Sequence, residues 1–343
     1  MTATQIPVID LAPWWGTGVE RHAVGREIDA AARRFGFFQI VGHRVSKDQI
    51  DAMIAASSDF FALPVEVKQR CTPEDPAINR GYAARGTEAL SYSIGRDTPP
   101  DLFEAFNIGE DEVDYSDPFF AAQQRGAFAP NIWPSAPVDF RSALVDYFRS
   151  ARQLALTLTE VFAVALGLPV GWFTRNVDRS TTTMRTIRYE RRAGDRDPLP
   201  GQQRMGAHTD YGIVTVLYAE AVAGLQIVAP SGEWIDVIPA DGALVINLGD
   251  LTAQWTNDQW RSTVHRVVPP PATDDGPAVR RSAAFFLDGN WDAVIECLPT
   301  CTSATDPPRY PPVTAGEHLM AKLMGPRLLR VSDAVDTAGD RGR

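Results

Sequence analysis

Cysteine, histidine, positive charge and long apolar runs are all scarce in this 343-residue chain, and each scarcity closes off a class of function. Three cysteines, Cys71, Cys297 and Cys301, are too few and odd in number for a disulfide framework, and they suit a reducing compartment. Cys297 and Cys301 stand four apart, but no neighbouring Cys or His pair completes a zinc site. No apolar stretch approaches the ~20 residues that span a bilayer, and Met1 to Asp10 lacks the basic-then-apolar order of a secretory signal. Lys and Arg number 33 against 43 Asp and Glu, a formal net charge of −10. That balance gives no footprint for a phosphate backbone or an anionic membrane. The expectation is a cytoplasmic protein with neither nucleic acid nor membrane as partner; the sequence leaves its oligomeric state unknown.

What is present is apolar material, 44% of all residues, enough to bury the core of one large domain or two intimate ones. Pro7 to Leu11 is a short apolar run. Val24, Ile28, Ala31 and Ala32 then recur at helical spacing within Val19 to Arg34, before the apolar run Phe35 to Val41, so the order reads strand, helix, strand. Ser46 is a fitting N-cap for a helix from Lys47 to Phe61, with Ile50, Met53, Ile54 and Phe60 on its buried face. Residues 71 to 135 are rich in Pro, Gly, Asp and aromatics without a sustained period, and are expected as irregular loops and short strands laid over the rest. From Phe140 to Leu168 apolar positions step by three and four, a long amphipathic helix ended by Gly167 and Pro169.

After Thr181 the period shortens from helix to strand. Apolar or alternating segments follow at Thr183 to Tyr189, Ile213 to Tyr218, Leu225 to Val228, Trp234 to Val237, Ala243 to Leu248, Thr263 to Val268 and Ser282 to Phe286. Turns such as Pro230-Ser231-Gly232 and Ala240-Asp241-Gly242 punctuate them, the pattern of an antiparallel sandwich or barrel. One more helix, Ala315 to Leu323, precedes a polar tail from Ser332 to Arg343.

The five histidines are His22, His43, His208, His265 and His318. His208-Thr209-Asp210 lies just before the strand at Ile213, and His265 falls inside a later strand-like segment. Two imidazoles and one carboxylate are the ligand set that binds non-haem Fe(II) on one face and leaves the other open. In extended chain His208 and Asp210 point to the same side, so both can reach one metal. A lone His-x-Asp is also what a histidine bonded to a neighbouring turn carboxylate looks like. His43, at the end of a strand, reads as a structural hydrogen bonder, and His22 and His318 as exposed positions on helices. The Gly16-Thr17-Gly18 run has Arg21 where a dinucleotide loop needs its third glycine.

A second feature supports the metal reading. Arg280 and Ser282 share one face of the strand that continues through Ala283 to Phe286, and Arg281 takes the other. A guanidinium turned inward is costly unless it meets an anion. A small dicarboxylate that chelates the metal at one end and offers its other carboxylate to the arginine would satisfy both groups. A local Asp or Glu would also satisfy Arg280.

The chain resembles the isopenicillin N synthase-like group of Fe(II)/2-oxoglutarate-dependent oxygenases along nearly its whole length. Ile6-Pro7-Val8-Ile9-Asp10-Leu11 and Phe35 to His43 resemble the family's cap-domain signature. Gly81-Tyr82 with Leu102 to Gly109 is similar to its pre-barrel segment. His208 to Gly212, Gly224-Leu225-Gln226, Asn247-Leu248-Gly249-Asp250, Ser262 to Val267 and Arg280-x-Ser282 resemble its barrel motifs in order.

The resemblance implies a mixed α and β fold with a double-stranded β-helix, the cupin-type jelly roll, as a core flanked by helices. It divides the chain into an N-terminal cap region over 1–135, a supporting long helix over 136–180, a jelly-roll core over 181–300 and a C-terminal helix and tail over 301–343. It implies His208, Asp210 and His265 as iron ligands, and Arg280 and Ser282 as the pair on the distal carboxylate of 2-oxoglutarate. Tyr189 falls where the family often adds a tyrosine hydroxyl, although Glu190 stands where most relatives have proline. The stretch from His265 to Arg280 is longer than usual, the extra length being the turn from Pro269 to Pro277. Tyr82, Arg85, Tyr92 and Phe103 fall near the mouth of the barrel, as candidates to face a small-molecule substrate.

With Fe(II), 2-oxoglutarate and O2, the implied activity couples oxidative decarboxylation of 2-oxoglutarate to succinate with hydroxylation, desaturation or cyclisation of that substrate. Two other readings stay open from the residues. One is an Fe(II) oxidase of the isopenicillin N synthase or aminocyclopropane-carboxylate oxidase type that does not use 2-oxoglutarate; the other is a non-catalytic carboxylate- or metal-binding protein.

Overall fold

Strand β1 (Val8–Asp10), helix α1 (Gly18–Arg34) and strand β2 (Phe37–Val41) follow one another as the apolar spacing indicates. A computed structural model describes residues 5–75, 78–191, 198–269 and 279–323. Helix α1 starts on a capping box, with the Thr17 backbone N–H donating to Glu20 Oε2 at 2.7 Å. It stops at Gly36, whose φ of +62° and closeness to the Arg261 carbonyl leave no room for a side chain. Helix α2 (Lys47–Ala62) is capped by Ser46 Oγ, which accepts from the Asp48 N–H.

Short helix α3 (Val65–Gln69), strands β3 (Gly81–Ala83) and β4 (Glu104–Ile108) and helix α4 (Pro118–Ala121) come next, followed by the long helix α5 (Phe140–Ala165) and short α6 (Thr174–Val177). Gly167, at φ +70°, closes α5. The rest is mostly sheet: β5 (Thr183–Tyr189), β6 (Met205–His208), β7 (Val214–Ala219), β8 (Leu225–Val228), β9 (Trp234–Asp236) and β10 (Leu244–Leu248). After α7 (Asp250–Trp255) come β11 (His265–Val267), β12 (Arg280–Leu287), β13 (Val294–Ile295) and β14 (Val313–Thr314), then a helix over 315–323.

Eight strands form the large sheet in the order β1-β2-β10-β7-β12-β5-β4-β3, antiparallel except for β1 with β2. Four form a facing antiparallel sheet, β6-β11-β8-β9. Two packed sheets with crossing connections are the layers of a jelly roll, the core the sequence leads one to expect. Alternation along each strand divides the side chains of the large sheet between two cores. Phe37, Ala105, Ile187, Tyr189 and Val245 face the small sheet, where they meet Met205, Leu225, Ile227 and Val267. Phe38, Ile40, Val216, Ile246 and Phe285 face the helices, where Phe148 of α5 packs edge-on against Phe285 at 5.1 Å. Among the described residues no helix is long and apolar enough to cross a membrane.

Two expectations need correction, and two elements were not foreseen. Residues 71–135 are not merely laid over the barrel: β3 and β4 extend the large sheet beyond β5, as β1 and β2 extend it beyond β10. We therefore propose the four segments only as divisions of the sequence, since the large sheet runs across the boundary at 135. His318 is not exposed: it is 8% accessible, with burial depressing its pKa. Its helix packs back on the core, where Gly316 abuts Trp291. Strand β6 and helix α7 escape the periodic reading: His208 precedes β7 as expected, and it also ends a strand of its own. Most of the turn from Pro269 to Pro277 and the tail from Ser332 to Arg343 lie outside the described residues.

Candidate active site

His208 and His265 are opposite one another where β6 and β11 pair antiparallel, and their rings lie 4.2 Å apart between centroids. Asp210 follows two residues after β6, with Oδ1 3.8 Å from the Nε2 of each histidine. One ligand atom from each of the three falls within 4.8 Å of the other two, and all three residues are buried. The remaining polar atoms are engaged in ways that leave this trio converging. His208 Nδ1 bonds the Gly206 carbonyl at 2.7 Å and His265 Nδ1 the Thr263 carbonyl at 3.1 Å, so each Nδ1 carries the proton and each Nε2 presents a lone pair. Asp210 Oδ2 accepts from Asn247 Nδ2 at 2.6 Å and from Thr215 Oγ1, which leaves Oδ1 to the histidines.

Three Lewis bases facing one point with no donor among them fit a divalent cation. The electrostatics agree. Burial, followed by the neighbouring His265 charge, holds His208 down to about 4, so its ring is neutral near pH 7. Burial alone would raise Asp210, but the imidazoles and the Thr215 and Asn247 hydrogen bonds outweigh it and the carboxyl is lowered. Asp288, which nothing in the sequence singles out, is pushed up to about 7 by burial and by the charge of Asp210.

Arg280 and Tyr189 face each other across β12 and β5, on the inner face of the large sheet, with the guanidinium carbon 5.3 Å from the phenol centroid. Ser282 shares that face and is buried. Arg280 is 1% exposed, its Nε has no hydrogen-bond partner, and it forms no ion pair among the described residues. The alternative of a local carboxylate is thus not realised there. A buried guanidinium without an anion is expensive, so the pocket fits a ligand carboxylate. Burial raises the Tyr189 hydroxyl against the opposing pull of Arg280 and a hydrogen bond to Ser282, so the phenol remains a neutral donor.

The four substrate candidates do not converge. Phe103 lies in the inner core, 6.2 Å from the Tyr189 ring. Tyr82 points to the helix side: its hydroxyl donates to Glu104 Oε2 at 2.7 Å and its ring packs edge-on against Phe60 at 6.0 Å. Tyr92 lies on a 3-10 turn (Leu90–Ile94), where it donates to Asp97, and Arg85 is half-buried in the chain leading to that turn. Thr215 and Asn247, which hold Asp210, escaped the sequence reading, and so did Arg185. Arg185 is two pleats from Tyr189 on the same face of β5, a position that simple alternation from Tyr189 would have found.

Comparison with known proteins adds an independent line. Residues 6–136 match the family model of the non-haem dioxygenase in morphine synthesis N-terminal region, and residues 182–289 match that of the 2OG-Fe(II) oxygenase superfamily. The chain is 34% identical to the 2-oxoglutarate-Fe(II) type oxidoreductase hxnY of Emericella nidulans, over 92% of this chain and 88% of that protein. It is 30% identical to validamycin A dioxygenase of Streptomyces hygroscopicus subsp. limoneus, over 92% and 85% of the two. The crystal structure of a full-length Neurospora crassa protein in complex with α-KG and thymine superposes with a TM-score of 0.82 at 29% identity, covering 94% of this chain and 98% of that one.

Proposed function

The chain belongs to the 2OG-Fe(II) oxygenase superfamily and is a 2-oxoglutarate-dependent dioxygenase that uses Fe(II) and O2, and from that premise we propose that His208, Asp210 and His265 hold its iron. Arg280 and Ser282, with the Tyr189 hydroxyl, then hold the distal carboxylate of 2-oxoglutarate. Bound together, Fe(II), 2-oxoglutarate and O2 supply an oxidative decarboxylation to succinate and CO2 and the oxidising equivalent delivered to the substrate. The observation that carries the residue assignment is the convergence of three ligand atoms within 4.8 Å while every other polar atom of those side chains is engaged.

The protein's own part is to orient and exclude. The Gly206 and Thr263 carbonyls fix the two imidazoles in one tautomer, and Asn247 and Thr215 fix the carboxylate. Arg280 anchors the cosubstrate by its far end, which sets the direction of its chelating end. The inner core around Phe103, Tyr189 and Leu225 keeps bulk water from the site.

The prime substrate in this reading is a small molecule. That is supported by the burial of the three converging residues and by relatives whose names carry small molecules, validamycin A in one and bound thymine in another. Its placement relative to the iron selects hydroxylation, desaturation or cyclisation. The net charge of −10 disfavours nucleic acid, and three free cysteines favour the cytoplasm. Anaerobic titration with Fe(II) and 2-oxoglutarate tests the ligand set. A weak visible charge-transfer band is expected in the wild type and lost in H265A, and its persistence in H265A would refute the assignment.

A further inference from the structure

Thr209 stands between two of the converging residues, yet its hydroxyl does not join them: it donates to Asp250 Oδ2 at 3.3 Å. The other oxygen of that carboxylate, Oδ1, accepts from Ser262 Oγ at 2.6 Å. Ser262 leads into β11. The residue after it, Thr263, is the one whose carbonyl holds the His265 ring, and its own hydroxyl donates to the Phe35 carbonyl at 2.6 Å. One carboxylate therefore ties the turn carrying His208 and Asp210 to the chain entering His265. The backbone reinforces the tie. Asp250 opens α7, and its N–H donates to the Asp210 carbonyl at 2.9 Å, while the Leu251 N–H meets the Tyr211 and Gly212 carbonyls at 3.3 and 3.2 Å.

A third element fixes the carboxylate itself. Lys322, on the helix over 315–323, places Nζ 2.7 Å from Asp250 Oδ2 and 5.9 Å from the Tyr211 ring centroid. The Asp250 side chain is 15% exposed. An ionised carboxylate has about four acceptor sites and no donor, so it can take two hydroxyls and an ammonium at once. An acidic residue in the first turn also favours a helix through the helix dipole. That role needs only a charge near the helix start; it does not call for hydroxyls from two ligand-bearing stretches and a lysine from a third element.

We propose that Asp250 is a positioning residue of the metal centre: through Thr209 and Ser262 its carboxylate sets the spacing between the chain carrying His208 and Asp210 and the chain entering His265, and Lys322 locks that carboxylate in place. The inference rests on the iron assignment above. It makes the C-terminal helix part of what holds three ligands to one point. Asp250 and Lys322 act on the backbone around the ligands, so their loss displaces ligands without subtracting one.

Anaerobic Fe(II) titration at saturating 2-oxoglutarate tests it, read by the visible charge-transfer band and accompanied by the unfolding midpoint in chelator. D250A is expected to bind Fe(II) roughly tenfold more weakly and to shift the band. S262A and K322M should each weaken binding by roughly threefold, and S262A should add nothing in the D250A background. Wild-type affinity and band in a folded D250A, or a loss in S262A that adds in full to that of D250A, overturns the proposal. A lowered midpoint in chelator with unaltered Fe(II) affinity does so too, as the sign of a contact that serves the fold alone. Should D250A not fold, S262A and K322M decide, and wild-type affinity in both overturns it. The ligand assignment fails separately, on a band that persists in H265A.

Discussion

His208 and His265 are register partners across β6 and β11, and each Nε2 is 3.8 Å from the same oxygen of Asp210. Under the proposed assignment, removing one ring or the carboxylate leaves two ligands. H265A and D210A are expected to lose bound iron and to form succinate more than roughly 100-fold slower, beyond the effect of losing an outer partner. Iron content and succinate release, measured together, check this; near-normal turnover in either variant rejects the ligand set.

Asn247 and Thr215 restrain the carboxylate without reaching the imidazoles. N247A should therefore weaken Fe(II) affinity by roughly 10- to 100-fold, with T215V at the lower end of that range. Anaerobic Fe(II) titration reads the effect, and wild-type affinity in N247A would mean that the Asp210 orientation needs no such support.

The Arg280 pocket predicts a graded series. Loss of one partner of a buried charge pair costs about 2 to 5 kcal/mol, so R280A should raise the 2-oxoglutarate Kd by roughly 30-fold or more. S282A removes a single hydrogen bond, about 1 kcal/mol, and should raise it by roughly fivefold. Equal effects of the two would place the carboxylate elsewhere.

The periodic elements were legible because burial leaves a repeat. Helices α1, α2 and α5 show it at three and four residues, and most jelly-roll strands at two. Strand β6 was not legible, since Met205-Gly206-Ala207-His208 offers too little side chain to alternate. Strand β4 hides for another reason. All five of its residues are buried, and its polar Glu104 and Asn107 are satisfied by Lys68 and Arg185, partners remote in sequence. The shared side of His208 and Asp210 and the inward face of Arg280 could be read from spacing, whereas the register that sets His265 against His208, and the contacts of Thr215 and Asn247 with Asp210, come only from the fold.

In metal-free protein two buried groups oppose each other as pH changes. The folded-state value of His208 is depressed from 6.5 to about 4, so its share of stability is complete above pH 6.5 and is lost as pH falls towards 4. That of Asp288 is raised from 3.8 to about 7, so its share is complete below pH 3.8 and is lost as pH rises through 7. D288N removes only the second. In chelator the variant should exceed wild type at pH 8 by roughly 4 kcal/mol and lose stability more steeply on acidification to pH 5. Parallel denaturation curves at all pH values would show that Asp288 ionises normally.

Gly249 precedes α7, and a methyl group there would strike the Gly212 carbonyl, which belongs to the turn carrying Asp210. The Asp250 N–H donates to the Asp210 carbonyl at 2.9 Å, so the same contact braces that turn. G249A is expected to destabilise the fold by about 1 to 3 kcal/mol and to loosen iron retention. Chemical denaturation with an unmoved midpoint contradicts this.

The addition of β3 and β4 to the far side of β5 has a consequence for how such a protein diversifies. Residues between 81 and 108 deliver Glu88, Phe103 and Asn107, while His208, Asp210 and His265 all come after residue 207. The two stretches can thus mutate or recombine separately, one reshaping the flank of the sheet while the other keeps the three converging side chains.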